Sequence, residues 1–300
     1  MASNDTSTAN CASCGKEGGN LNMCNKCKMV KYCNAACKKK HRSKHKKQCE
    51  RRVAELHDEA LFKEPPPPEE CPICFLPTPL NAGQSMFKSC CGKVICCGCS
   101  DAMDIEALLE IGLCPFCREP DPTSAEEEVK QIKKLVEAGN AYAIYNLAGY
   151  YADGDGGMPQ DFAKANELVL RAGELGCGAA YHNLGNSYYN GEGVEVDKKK
   201  ATHYWELAAM NGDVEARHNL GYMEKEAGNH HRAMKHFILA AKAGLKDSLD
   251  AIKQGFMIGI VTKDEYANTL RAYQEIQDEM KSDTRERARE IDKIRECMNM

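Results

Sequence analysis

The chain has 300 residues, with 40 Lys and Arg against 44 Asp and Glu for a formal net charge of -4, and it carries 18 cysteines. That length suits two or three folded units, and the near-neutral charge says little about partners. The longest strongly apolar run, Phe256 to Val261, is far too short for a membrane span, and the polar start MASNDTSTAN lacks the apolar core of a secretory signal. The expected compartment is therefore the cytoplasm or nucleus, with no membrane partner. There, clustered cysteines are metal ligands more often than disulfides, and 16 of the 18 precede residue 118.

Residues 1–10 are small and polar and are expected to be disordered. Four pairs follow: Cys11 and Cys14, Cys24 and Cys27, Cys33 and Cys37, His45 and Cys49. Seven thiols and one imidazole fill two closed tetrahedral sites, and with no position left for water the zinc is structural. A unit of about 40 residues buries too little to offset its chain entropy, so metal has to stabilise it; zinc binding supplies about 10 to 16 kcal/mol.

This spacing, with Lys31-Tyr32-Cys33 and the basic run leading to His45 and Cys49, closely resembles the MYND zinc finger over residues 11–49. The resemblance implies interleaved ligation, with Cys11, Cys14, Cys33 and Cys37 on one ion and Cys24, Cys27, His45 and Cys49 on the other. It also implies recognition of short proline-containing peptides. Arg42 stands where many members carry tryptophan, which removes an aromatic anchor from that surface. His41 is read as a solvated helix residue. Lys31 to Arg52 holds ten Lys and Arg against Glu50 alone, read as the solvated face of a short helix whose other face carries His45 and Cys49. A nucleic-acid patch or nuclear-import signal is the lesser alternative, since only Tyr32 is aromatic there.

Residues 50–68 form a linker. Val53, Leu56, Ala60 and Leu61 have helical spacing, and Pro65 to Pro68 then favour a polyproline II spacer. In second place, the proline run is a ligand for a proline-binding groove. The block 69–119 opens with Cys71-x2-Cys74, closes with Cys114-x2-Cys117 and holds Cys90, Cys91, Cys96, Cys97 and Cys99 between them. It resembles a RING finger. The resemblance implies Cys71, Cys74, Cys96 and Cys99 on one zinc and Cys90, Cys91, Cys114 and Cys117 on a second, with Cys97 as a substitute for one of the adjacent pair. Lys93 occupies the place where many RINGs have a ligating histidine, and its ammonium has no lone pair to give.

By the same resemblance, Ile73, Pro115 and Arg118 match the surface that docks a ubiquitin-conjugating enzyme. Arg118 matches the cation that bridges enzyme and ubiquitin. Met103, Ala107, Leu108 and Ile111 would wall the groove from a helix. The residue-level alternatives are core packing for Ile73, a rigid turn for Pro115 and a surface charge for Arg118.

Residues 124–272 read as helical repeats, opened by a capping box at Ser124 and Glu127 and a helix with Val129, Ile132, Leu135 and Val136 on one face. Asn146-Leu147, Asn183-Leu184 and Asn219-Leu220 recur, as do Ala165, Ala201 and Ala233, with glycines at the unit ends. The pattern resembles SEL-one-like repeats, relatives of the tetratricopeptide repeat, whose stacked helices bind proteins. The repeated asparagines are read as partners of neighbouring helix ends and the tyrosines as interhelical packing. Residues 273–300 read as a charged, solvated helix or tail.

The expected fold is modular: two small zinc-stabilised α+β fingers followed by an all-α helical-repeat solenoid, with four zinc ions and no catalytic residue or other cofactor. The leading function is a RING-type ubiquitin ligase that recognises proteins or peptides through its repeats and MYND finger. A non-catalytic scaffold or adaptor is the alternative, and nucleic-acid binding a weaker one. No phosphate loop and no open metal position point to a hydrolase, kinase or oxidoreductase.

Overall fold

The computed structural model describes residues 10–18, 20–80, 84–107 and 113–288, without side chains for 103–107. Leu108, Ile111 and the side chains of Met103 and Ala107, singled out above, lie outside the described set, as do residues 1–9 and Cys297. Chain contacts divide the protein into two compact units, one ending at Lys63 and one beginning at Glu64.

In the first unit, β1 (Asn22–Met23) pairs antiparallel with β2 (Lys31–Tyr32). Helix α1 (Ala35–Leu61) follows, its first turn capped by the Asn34 side chain, which accepts from the Cys37 backbone N–H. The sequence reading separated a short ligand-bearing helix from a linker helix at residue 50. Here the two are one helix of 27 residues. No glycine or proline interrupts Ala35 to Leu61. Lys46 and Glu50, an exposed pair one turn apart at 4.0 Å, span the supposed boundary, and Arg52 reaches Glu55 and Glu59 just beyond it at 3.1 and 2.8 Å.

The second unit starts with the proline run. Expected as a free spacer, Pro65 to Pro68 instead line a hollow of about 260 Å³ together with Val214, Leu239, Ala243, Ile276 and Met280. The rings have found apolar surface to cover. Glu69 then accepts a 2.8 Å hydrogen bond from the Tyr142 hydroxyl. The finger beyond it is a hairpin, β3 (Ser85–Lys88) against β4 (Lys93–Cys96), followed by α2 (Cys97–Ala107). It packs on the start of the helical array. Ser89 Oγ donates to Gln131 Oε1 at 2.6 Å, the buried Lys88 ammonium lies 3.2 Å from Asp121, and Phe87 joins the array's core.

The array runs α3 (Ala125–Glu137), α4 (Ala141–Asp153), α5 (Phe162–Glu174), α6 (Gly178–Asn190), α7 (Lys198–Met210), α8 (Val214–Glu226), α9 (His230–Lys242), α10 (Lys246–Met257) and α11 (Lys263–Glu279). From α4 on, each even helix and its successor form one unit. Ser124 caps α3 by accepting from the Glu127 N–H, but Glu127 reaches back to Thr123, one residue before the expected partner. The reciprocal capping box is at Thr262 and Glu265. Beyond α11 the tail is not solvated as far as residue 288: Met280, Arg285 and Ala288 are all buried.

Gly185 and Gly221 hold the same place in α6 and α8, directly after the repeated Asn-Leu pair, where α4 has Ala148; Gly149 is the next residue of α4 and is exposed. A Cβ at Gly185 would stand 2.4 Å from Trp205 and one at Gly221 2.6 Å from Phe237, whereas Gly149 has nothing within 4 Å. The glycines answer to the partner helices. Four residues after Ala165, Ala201 and Ala233 come Val169, Trp205 and Phe237, so the first unit pairs Ala148 with a valine in one core where the next two units pair glycine with a ring. Gly185→Ala and Gly221→Ala are expected to destabilise by about 1 to 3 kcal/mol through overpacking. Gly149→Ala should stabilise by up to about 1 kcal/mol through helix propensity alone. Chemical denaturation of the three variants checks the opposite signs.

Candidate metal centres and interaction surfaces

Four Cys-x-x-Cys knuckles have one backbone design. The N–H of the residue after the second cysteine donates to the first cysteine's carbonyl: Gly15 to Cys11 (2.9 Å), Lys28 to Cys24 (3.0 Å), Phe75 to Cys71 (2.8 Å) and Arg118 to Cys114 (3.0 Å). Closing this turn requires a left-handed residue, with φ of 74°, 55°, 57° and 63° in that order. At Lys28, Phe75 and Arg118 the conformation costs about 1 to 2 kcal/mol each.

Each knuckle meets a second pair. Cys33 precedes α1 and Cys37 sits in its first turn, while His45 and Cys49 lie one turn apart on the same helix. Cys90 and Cys91 occupy the β3–β4 loop, and Cys96 ends β4 shortly before Cys99 in α2. The donors gather as Cys11, Cys14, Cys33, Cys37; Cys24, Cys27, His45, Cys49; Cys71, Cys74, Cys96, Cys99; and Cys90, Cys91, Cys114, Cys117. Within each group the donor atoms lie within 4.8 Å of one another. Both fingers are thus cross-braced. Cys97, open as a substitute in the sequence, stands outside these groups. Lys93 is exposed at the start of β4. His41 is also outside, its Nδ1 3.2 Å from the Tyr32 hydroxyl and its ring stacked on His45.

The spacing fits zinc. Four sulfurs about 2.3 Å from one ion stand about 3.8 Å apart along a tetrahedron's edge. The contacts are 3.7 Å for Cys14 and Cys33, 3.9 Å for Cys24 and Cys49, 3.8 Å for Cys74 and Cys96, and 3.7 Å for Cys91 and Cys114. These are far from the 2 Å or so of a disulfide. His45 Nε2 faces Cys27 Sγ at 3.2 Å.

Electrostatics point the same way. The Cys33 backbone N–H, with those of Ser13 and Cys14, brings Cys11 down to about 6. Burial raises Cys24 and Cys71, but backbone N–H groups overcome it, leaving them near 6 and 7. Their companions are pushed up: Cys33 to about 12 by its hydrogen bond to Cys37, and Cys90 and Cys99 by burial. A group of four donors cannot ionise together without a cation at its centre.

Of the residues matched to a docking surface, Ile73 is half-buried against Cys71, Ile95 and Cys96, while Pro115 and Arg118 are exposed. The sequence reading missed that Phe75, Leu113 and Phe116 flank these knuckles with apolar side chains open to solvent. Their place beside ligands was the available signal. In the repeats, Asn183 donates to the Tyr145 hydroxyl at 2.7 Å, Asn219 meets His182 at 3.3 Å and Asn146 donates to the Tyr142 carbonyl at 2.8 Å. A hollow of about 370 Å³ between α4, α5 and α6 is lined by Tyr145, Asn146, Phe162, Asn166 and Asn183. Cys177 is buried at the start of α6. No helix among the described residues is long and apolar enough to cross a membrane.

Known proteins share parts of this plan. Residues 11–49 match the MYND finger family, and residues 141–177, 178–213 and 214–245 match the Sel1 repeat. A curated relative, the ERAD-associated E3 ubiquitin-protein ligase component HRD3B of Arabidopsis thaliana, is 31% identical over 99 residues, 33% of this chain and 15% of its own. The chain therefore spans a small part of that relative's length. A Sel1 repeat protein from Oxalobacter formigenes is 24% identical over 50% of this chain and 64% of its own, with a TM-score of 0.43. A protective antigen of uropathogenic Escherichia coli with an SLR fold is 25% identical over 59% of this chain and 40% of its own, with a TM-score of 0.47. Residues 11–49 are thus similar to a MYND finger and residues 141–245 to a Sel1 repeat array, with a second cysteine-rich block between them.

Cys27→Ser should lower the bound zinc by one ion in native mass spectrometry and open the first unit to proteolysis. The thermal transition of the helical array should stay in place, because that array belongs to the other compact unit.

Proposed function

We propose that this protein binds four zinc ions and is a RING-type ubiquitin ligase. In this reading the central finger docks a ubiquitin-conjugating enzyme, and the repeats, with the MYND finger, hold the protein to be modified. The supporting observation is the cross-braced pairing of Cys71 and Cys74 with Cys96 and Cys99, and of Cys90 and Cys91 with Cys114 and Cys117, with Pro115 and Arg118 exposed beside it. Every donor position is filled by protein, so the zinc takes no part in bond making. Catalysis would come from holding the charged conjugating enzyme in a reactive conformation, which is a positional effect.

A second reading, a non-catalytic adaptor within a ligase assembly, draws support from the partial likeness to a protein described as a ligase component. It keeps both zinc fingers and the repeats as binding surfaces and removes the conjugating enzyme from the list of partners.

The two readings separate in a transfer assay over a panel of conjugating enzymes. Arg118 holds a left-handed turn, so Arg118→Asn is the informative change: asparagine tolerates that conformation while losing the charge. For a ligase, Arg118→Asn and Ile73→Ala should each reduce ubiquitin chain formation about 10- to 100-fold with zinc content unchanged, the range a lost positioning contact produces. No transfer by zinc-replete wild type with any conjugating enzyme would leave the adaptor.

A further inference from the structure

The chain beyond α11 returns to the central finger. Residues 283–288 form a short helical segment that lines one small hollow with Gly98, Asp101 and Ala102 of α2 through Thr284, Arg287 and Ala288. Contact at Gly98 is close, since a Cβ there would stand 2.8 Å from the Arg285 backbone nitrogen. Arg285, only 4% exposed, points its guanidinium at the metal group: Nη2 lies 3.5 Å from Cys74 Sγ and 3.4 Å from the Leu76 carbonyl, and Nη1 lies 3.3 Å from the Met280 carbonyl.

This placement answers an electrostatic need. Four thiolates around a zinc ion leave a net charge of about -2, and Cys71, Cys96 and Cys99 are buried. Such a centre is stable inside a protein when hydrogen-bond donors and cations reach its sulfurs, as groups behind the ligands of other metal sites do. The Cys96 N–H lies 3.5 Å from Cys71 Sγ, and the guanidinium reaches Cys74.

We propose that Arg285 is the outer partner of the Cys71, Cys74, Cys96 and Cys99 site, and that the segment 282–288 is a latch that delivers it. Metal retention in the finger thereby depends on a segment more than two hundred residues away in sequence. The latch covers the α2 face that carries Gly98, Asp101 and Ala102. The inference rests on zinc occupancy of this group and not on ligase activity.

The test is chelator-driven metal release from the zinc-loaded full chain, followed with an absorbing indicator after the zinc content has been counted. Arg285→Gln should release one equivalent about 10- to 100-fold faster than wild type, the usual effect of losing such a partner, and leave the others unchanged. Arg285→Lys, which keeps the charge but not the fork, should fall between. In the cadmium-113 NMR spectrum of the substituted protein, Arg285→Gln should move one all-sulfur resonance. Identical release curves would overturn the inference, as would a uniform acceleration of every equivalent, which would mark the segment as a general fold element. If alkylation of Cys71 and Cys74 in wild type were as fast with zinc as without, the zinc reading itself would fall, and the latch with it.

Discussion

Both fingers are organised by one constraint: four donors from two separated pairs must reach a single point, about 2.3 Å from each sulfur and about 2.0 Å from the His45 nitrogen. A knuckle supplies one pair, and a loop, strand end or helix turn supplies the other. The hairpins exist to bring the second pair back. Little else is inside. The buried cluster of the first finger is Cys11, Cys24, Cys27 and Tyr32, and that of the second is Cys71, Ile95, Cys96 and Cys99. When the core is mostly ligand sulfur, removing the metal removes the reason for the core to form, because too little apolar area remains to offset the chain entropy. The left-handed turns at Lys28, Phe75 and Arg118 are strain that this bonding overcomes.

The central finger has further support. Its hairpin loop meets α3 through Ser89 and Gln131, Lys88 is paired with Asp121 just before that helix, and Arg285 meets the knuckle at Cys74. The beginning of the helical array and the segment after its last helix therefore both touch the same finger. Glu69 and the proline run lie between these contacts, against Tyr142, Val214 and Ile276. Docking on apolar surface of the array fixes in place what would otherwise be a polyproline II spacer, which lowers the entropy of the finger relative to the repeats.

What the sequence made legible is local. Cysteine spacing marked the knuckle pairs, since a knuckle is a four-residue device, while the grouping of pairs into fours came from family resemblance and left Cys97 open as a substitute. The repeat period marked the helix pairs, because Asn146, Asn183 and Asn219 return to one face of equivalent helices. What stayed hidden was long-range or depended on an absence. The continuity of α1 follows from the lack of any breaker near residue 50, a weaker signal than the change in composition that suggested a boundary. Pro65 to Pro68 read as a spacer because proline's backbone preference is local, whereas its docking depends on Leu239 and Ile276 far along the chain. Arg285 lay in a run of mixed charge with no mark to distinguish it from its neighbours; only the fold brings it to Cys74.

On the proposed ligase reading, a finger held at two places by the helical array would suit catalysis by position. If the finger moved freely, a bound protein and a docked conjugating enzyme would meet at the effective concentration of a flexible tether, which falls as the tether lengthens. Packing Ser89, Lys88 and Arg285 against fixed partners replaces that search with a set distance, and the benefit grows with the rigidity of each contact. On that reading the same rigidity would limit which lysines on a partner could be reached. Specificity would then reside in the geometry between the repeat surface and the finger as much as in affinity for either one.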